Sequence, residues 1–186
     1  MARLPNVLIT GTPGTGKTTT SEQARRCMLI QRGPGQVASA TGLRLISVGD
    51  WVKEKELHSG WDAEHEAFIL DEDKVCDAME DALSAGGNVV DYHSCDFFPE
   101  RWFDLVVVLQ ADNTVLYERL EKRGYPQAKV QENVQCEIMM VLLEEARDSY
   151  REEIVVPLTS NTVEEMESNV ARITQWVADY RRQHSV

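Results

Sequence analysis

The chain has 186 residues, enough for one domain with a sizeable core. Its 31 acidic and 19 basic residues give a formal net charge of -12. That balance repels nucleic acid unless positive charge is concentrated locally, and the best candidates, Arg25-Arg26 with Arg32 and Arg181-Arg182, are short. No apolar run approaches membrane-spanning length, and Met1-Ala2-Arg3-Leu4-Pro5 is not a secretory pattern. Cys27, Cys76, Cys95 and Cys136 form no Cys-x-x-Cys pair, which removes support for a zinc ribbon. The expectation is a reducing, intracellular setting with free thiols.

Taken in chain order, residues 6–10 (Asn-Val-Leu-Ile-Thr) are short, apolar and β-branched and run into a Gly-rich turn, the pattern of a buried parallel strand. A helix should open at Lys17-Thr18-Thr19-Thr20 and break at Arg32-Gly33-Pro34-Gly35. Residues 43–48 read as a second strand closed by Gly49-Asp50, and residues 51–57 as a short helix. Residues 71–84 carry Val75, Met79 and Leu83 on one helical face, with Asp71-Glu72-Asp73 suited to initiation and Gly86-Gly87 to termination. Strands follow at 88–92 and within 102–109, where Leu105-Val106-Val107-Val108-Leu109 is the most apolar run.

A helix over 114–122 should stop at Arg123-Gly124-Tyr125-Pro126. Residues 130–153 read as one long helix, 154–158 as a last strand, and 162–183 as a closing helix with Val163, Met166, Val170, Ile173, Val177 and Tyr180 at three- and four-residue steps. Strands and helices alternate throughout, so the expected fold is α/β, a parallel sheet with helices on both faces, in a single domain spanning 1–186.

Gly11-Thr12-Pro13-Gly14-Thr15-Gly16-Lys17-Thr18 satisfies the full Gly-x-x-x-x-Gly-Lys-Ser/Thr pattern between a strand and a helix. Glycines let backbone N–H groups turn inward around phosphate oxygens, and the helix adds its positive N-terminus. Lys17 can reach the β- and γ-phosphates and Thr18 can place its hydroxyl on Mg2+, so ATP or a close relative is the expected ligand. Asp91 follows Val89-Val90 at a strand end, where a carboxylate can hold Mg2+ or, more plainly, cap a helix. His93 lies two residues on; it shares a side with Asp91 if the strand continues, and is otherwise a surface histidine. Arg119 and Arg123 lie on one helix face, suited either to clamping a transferring phosphoryl group or to surface pairing with Glu118 and Glu121. The tryptophans, Trp51, Trp61, Trp102 and Trp176, suit core or rim anchors better than a base-stacking surface. His58 and His65, among charged residues, do not make a convincing metal site.

Several stretches together resemble the adenylate kinase isoenzyme six family, small nuclear adenylate kinase-like NTPases that also act in ribosome maturation. They are residues 5–19, Val48-Gly49-Asp50, Ile69-Leu70-Asp71-Glu72-Asp73, residues 90–103 (Val-Asp-Tyr-His-Ser-Cys-Asp-Phe-Phe-Pro-Glu-Arg-Trp-Phe), residues 116–125, residues 133–138 and residues 149–154. The likeness spans nearly the whole chain, and the segment after Asp91 is far more specific than the loop alone.

The resemblance implies a nucleoside monophosphate kinase that moves the γ-phosphoryl of ATP to AMP, with Mg2+ and intrinsic ATPase activity. It implies nuclear and cytoplasmic residence, a small-subunit ribosomal protein as partner, and a role in small-subunit rRNA maturation. A monomer without sequence-specific nucleic-acid binding and without membrane attachment is expected. The family's phosphate loop maps onto Gly14, Thr15, Gly16, Lys17, Thr18 and Thr19, its strand-end aspartate onto Asp91 and its functional histidine onto His93. The acceptor-nucleotide region falls at about 49–83, the lid at about 123–133 and the adenine-side loop at Ser160-Asn161.

Two features depart from the family. Residues 24–37 look inserted, and Lys53 stands where the family has an arginine that grips the acceptor phosphate; lysine keeps the charge but loses the two-pronged fork. The competing functional expectations are an ATPase assembly factor with little kinase activity and a catalytically impaired adaptor.

Overall fold

The computed structural model describes residues 3–16, 34–62 and 67–185. Five strands form a parallel sheet: β1 (Val7–Gly11), β2 (Arg44–Ser47), β5 (Asn88–Asp91), β6 (Leu105–Gln110) and β7 (Val155–Thr159). Their spatial order is β2-β5-β1-β6-β7, with β1 in the centre. The chain passes from β5 on one side of β1 to β6 on the other, so the connections diverge beside the C-terminal end of β1. Such a switch point leaves a crevice there, the usual ligand position of an open α/β sheet.

Side chains alternate across the central strands, as the two-residue period requires. Leu8, Val90, Val106 and Val108 point into one core, which is covered by α3 (Glu72–Ala85) and α6 (Val141–Ser149) through Val75, Met79, Leu83, Leu143 and Ala146. Val7, Ile9, Val89, Val107 and Leu109 point into the other, covered by α1 (Pro34–Thr41) and α7 (Val163–His184) through Val37, Ile173 and Val177. Burial on both faces explains why β1, β5 and β6 read as continuous apolar runs. A smaller cluster of Leu116, Leu120 and Val130 joins α4 (Asn113–Lys122) to α5 (Gln127–Ile138).

Four sequence expectations change. The long helix over 130–153 is two helices: α5 ends at Ile138 and α6 starts at Val141, with Met140 between them in the left-handed region at φ 50°. A methionine carries no sequence signal for that conformation, which favours glycine or asparagine. The short helix expected over 51–57 is α2 (Val48–Glu54), so Val48, Gly49 and Asp50 are its first turn rather than the end of a strand. An antiparallel hairpin, β3 (His58–Asp62) with β4 (Ala67–Leu70), forms where the sequence pattern gives no strand signal. It carries Trp61, which is 55% exposed and thus no core anchor, packed edge-on against Phe68.

The fourth concerns the expected insertion at 24–37. Pro34 is the first described residue of α1, and Val37 is 1% exposed in the core. The rest of that stretch and the expected helix start at residues 17–20 lie outside the described residues. A deletion running through Val37 therefore removes a core side chain.

At the opposite end of the sheet from the crevice, Asn6 is fully buried just before β1. Its side-chain nitrogen donates to the Leu83 carbonyl at 2.7 Å and the Trp102 carbonyl at 2.8 Å. Its side-chain oxygen accepts from the Asn88 backbone N–H at 3.1 Å and the Asn88 amide at 2.9 Å. Replacing Asn6 with Ala strands these buried partners, so unfolding stability should fall by about 3 kcal/mol, measured by denaturant titration. A loss below about 0.5 kcal/mol would show that the partners find other bonds.

Candidate active site

The Gly-rich turn leaves β1 at the crevice. Gly11 pairs with Leu109 of β6, and a Cβ added to it would lie 2.4 Å from the Leu109 carbonyl oxygen. Gly14, at φ 101°, lies against Leu116 and Leu120 of α4, where an added Cβ would meet Leu116 at 2.7 Å. Both positions combine positive φ with no room for a side chain, so the pattern's glycines answer to packing as well as backbone freedom. The turn closes on itself: the Thr15 backbone N–H and hydroxyl both donate to the Thr12 carbonyl, at 3.1 and 2.9 Å. Thr15 is fully buried, and Gly16 has Ser160 and Met166 beside it. Lys17, Thr18 and Thr19 lie outside the described residues.

Asp91 ends β5, level with Ile9 of β1 and Ser47 of β2, and is 7% exposed. A buried carboxylate beside the strand that carries the phosphate loop fits hard-cation chemistry, since Mg2+ prefers oxygen donors. The strand stops at Asp91, so the alternation expected to place His93 on the same side does not apply. His93 lies in the following bend, exposed, with its ring 4.3 Å from that of Tyr92.

The two arginines separate. Arg119 is held inside the site: its guanidinium donates to the Ser160 carbonyl at 2.7 Å, to the Asn161 carbonyl at 2.8 Å and, more weakly, to the Gly14 carbonyl at 3.5 Å. Burial lowers its pKa from the ordinary arginine value, and the charge of Arg123 lowers it further. Arg123 caps the C-terminus of α4 and is exposed. Pairing of the arginines with Glu118 and Glu121 is not what forms: Glu118 meets Lys122 at 3.6 Å, and Glu121 accepts from the Tyr117 hydroxyl at 2.8 Å.

Asn161 is fixed from three sides. Its carbonyl takes Arg119, its side-chain oxygen accepts the Asp112 N–H at 2.7 Å, and its own N–H donates to Glu165 at 2.6 Å. This ties the loop after β7 to the start of α4 and to α7. Lys53 sits exposed in the last turn of α2.

In the sequence Glu137 is marked only by its place in the family-like stretch 133–138. In the structure its carboxylate accepts the Thr12 hydroxyl at 2.5 Å and the Ala111 backbone N–H at 2.7 Å. It had no local signal, because both partners are distant in sequence. Burial, the largest cause, pushes the Cys95 thiol up to about 12, away from the reactive thiolate range. Among the described residues no cluster of three or more His, Cys, Asp or Glu side chains is arranged for a metal ion. No helix among them is long and apolar enough to cross a membrane.

Known proteins match this architecture and this sequence. The AAA domain family model matches residues 7–140. A shikimate kinase from Acinetobacter baumannii, solved with shikimate, superposes with a TM-score of 0.62 at 14% identity, covering 96% of this chain and 95% of that one. A shikimate kinase from Bacteroides thetaiotaomicron superposes at 0.57 with 12% identity, over 94% and 98% of the two chains. At such identities these show the fold.

The adenylate kinase isoenzyme 6 homolog of Dictyostelium discoideum is 53% identical over 176 residues, 95% of this chain and 93% of its own. The Schizosaccharomyces pombe homolog is 50% identical over 181 residues, covering 97% and 96%. The Saccharomyces cerevisiae homolog FAP7 is 41% identical over 180 residues, covering 97% and 85%. With a phosphate-loop turn at the switch point of a parallel sheet and relatives of this closeness along nearly its full length, the chain belongs to the adenylate kinase isoenzyme 6 family and has the build of a nucleotide kinase or NTPase.

Proposed function

We propose that the chain transfers the γ-phosphoryl group of ATP to AMP, and hydrolyses ATP when no acceptor is bound. The observation that carries this reading is the closed turn of residues 11–16 at the end of β1, with the buried Asp91 carboxylate ending the adjacent strand. Amides of Gly14, Thr15 and Gly16, with Lys17, Thr18 and Thr19 after them, hold the donor phosphates. Asp91 and the Thr18 hydroxyl are the oxygen donors that would hold Mg2+, which when bound neutralises charge on the β- and γ-phosphates.

An oxygen of the AMP phosphate attacks the γ-phosphorus while the bond to the β-bridging oxygen breaks, which yields two ADP. Arg123, exposed at the root of the lid, neutralises charge on the group in transit. Arg119 holds the donor loop and the Ser160-Asn161 loop in one arrangement, and Asn161 frames the adenine side. His93 orients the attacking acceptor or water. Lys53 takes the acceptor phosphate from the 49–83 side.

A small-subunit ribosomal protein is the proposed partner in small-subunit rRNA maturation, with residence in nucleus and cytoplasm and a monomeric chain. The net charge of -12 suits a basic protein surface.

Magnesium-ATP with and without AMP, read for ADP and inorganic phosphate, separates the activities: AMP-dependent ADP without phosphate indicates transfer, AMP-independent phosphate indicates hydrolysis, and neither product indicates an adaptor. Lys17→Ala should lower both products on the order of a hundredfold while the unfolding midpoint stays put. Wild-type turnover in that variant overturns the site assignment. Lys53→Arg should tighten AMP binding about fivefold by restoring the planar fork, measured by calorimetric titration. Equal or weaker affinity counts against Lys53 as a phosphate ligand.

A further inference from the structure

We infer that Glu137 is a positioning residue for the donor nucleotide: it locks the first half of the phosphate loop to the base of the lid helix. The inference rests on the donor-site reading above. Thr12 is the first residue beyond β1, and Ala111 is the first beyond β6. Glu137 places one carboxylate oxygen on each, at 2.5 Å from the Thr12 hydroxyl and 2.7 Å from the Ala111 nitrogen. One side chain on α5 therefore spans the exits of two adjacent strands.

Thr12 is held on two sides by this arrangement. Its carbonyl closes the turn by accepting from Thr15, and its hydroxyl is committed to Glu137. The amides of Gly14, Thr15 and Gly16 follow directly, so their aim depends on how Thr12 is held. Both bonds have a carboxylate as acceptor, which makes them the charge-assisted kind.

A carboxylate near an anion site opposes phosphate binding unless its charge is absorbed. Here both oxygens are taken by donors, so the residue contributes by geometry. Its partners lie at the donor end, and neither belongs to the acceptor region at 49–83. The effect is therefore specific to ATP.

The test measures ATP binding by calorimetric titration and KM for ATP and for AMP separately. Glu137→Ala should weaken ATP binding and raise its KM about tenfold, with the KM for AMP changed less than about twofold. Glu137→Gln should recover most of the loss, because its amide can accept from Ala111 and donate to Thr12. Thr12→Val should weaken ATP as Glu137→Ala does, and the double variant should lose no more than either single one.

Wild-type ATP affinity in Glu137→Ala, equal losses for ATP and AMP, or additive losses in the double variant would overturn the inference. If Glu137→Ala does not fold, Thr12→Val decides: a wild-type ATP affinity there overturns it equally. A wild-type protein that binds no ATP refutes the donor-site reading itself, whereas binding that none of these variants alters refutes only the role of Glu137.

Discussion

The register of β1 decides where everything at the site ends up, and Asn6 sets that register. Its side-chain amide makes four hydrogen bonds, to Leu83 at the end of α3, to Trp102 before β6, and twice to Asn88 at the start of β5. The Asn6 backbone N–H also donates to Asp104 at 2.8 Å, just ahead of β6. A buried amide with all its bonding capacity used tolerates no slip, because any shift leaves several polar groups unpaired at once. With that end fixed, Ile9 comes level with Asp91 and Gly11 with Leu109. The turn of residues 11–16 then lands against α4, where Gly14 needs the gap left by Leu116 and Leu120.

Around the turn, the protein uses side-chain charge mostly to fix backbone. Arg119 spends its donors on carbonyls of the β7 loop, and Glu137 spends both oxygens on Thr12 and Ala111. The two therefore act as opposite-signed straps, one from α4 and one from α5, on groups in and next to the loop. Such an arrangement suits an anion site in a protein of net charge -12: local N–H dipoles and the fixed Arg119 act at short range, whereas the distributed negative charge is screened by solvent and salt. Arg123, close enough to Arg119 to depress its pKa, is the exposed one of the two arginines.

The parts legible in the sequence were those governed by local pattern. Residues 7–11, 88–91 and 105–110 are strands because both of their faces are buried, which leaves uninterrupted apolar runs. Asp71 and Thr162 cap α3 and α7 with side-chain oxygens that accept from Lys74 and Glu165, as their residue types suggest. The parts that escaped depend on long-range contact or on unmarked conformations. The β3–β4 hairpin has polar and glycine residues in its first strand, so no alternation flags it. Glu137 and Asn6 look like any polar residue until the fold brings their partners, dozens of positions away, within reach. Arg119 is a candidate from its helix-face spacing, but its choice of carbonyls over acidic neighbours has no sequence signal, because those carbonyls belong to a loop about forty residues later.

The break at Met139-Met140 gives the Glu137 strap its mechanical sense. Helix α6 is part of the body: Leu143 and Ala146 lie in the same core as Leu8 and Val106, and the Tyr150 hydroxyl just beyond it donates to the Cys95 carbonyl at 2.6 Å. Helix α5 packs instead on α4, through Val130 against Leu116 and Leu120. A continuous helix over 130–153 would have made α5 a rigid extension of the core helix α6. The left-handed turn at Met140 separates them, at the strain cost a non-glycine residue bears there. Freed from the direction of α6, the end of α5 needs another anchor, and Glu137 supplies one at the phosphate loop. A displacement of α5 then reaches Thr12 through Glu137, beside the packing of α5 on α4, whose Leu116 and Leu120 lie against Gly14.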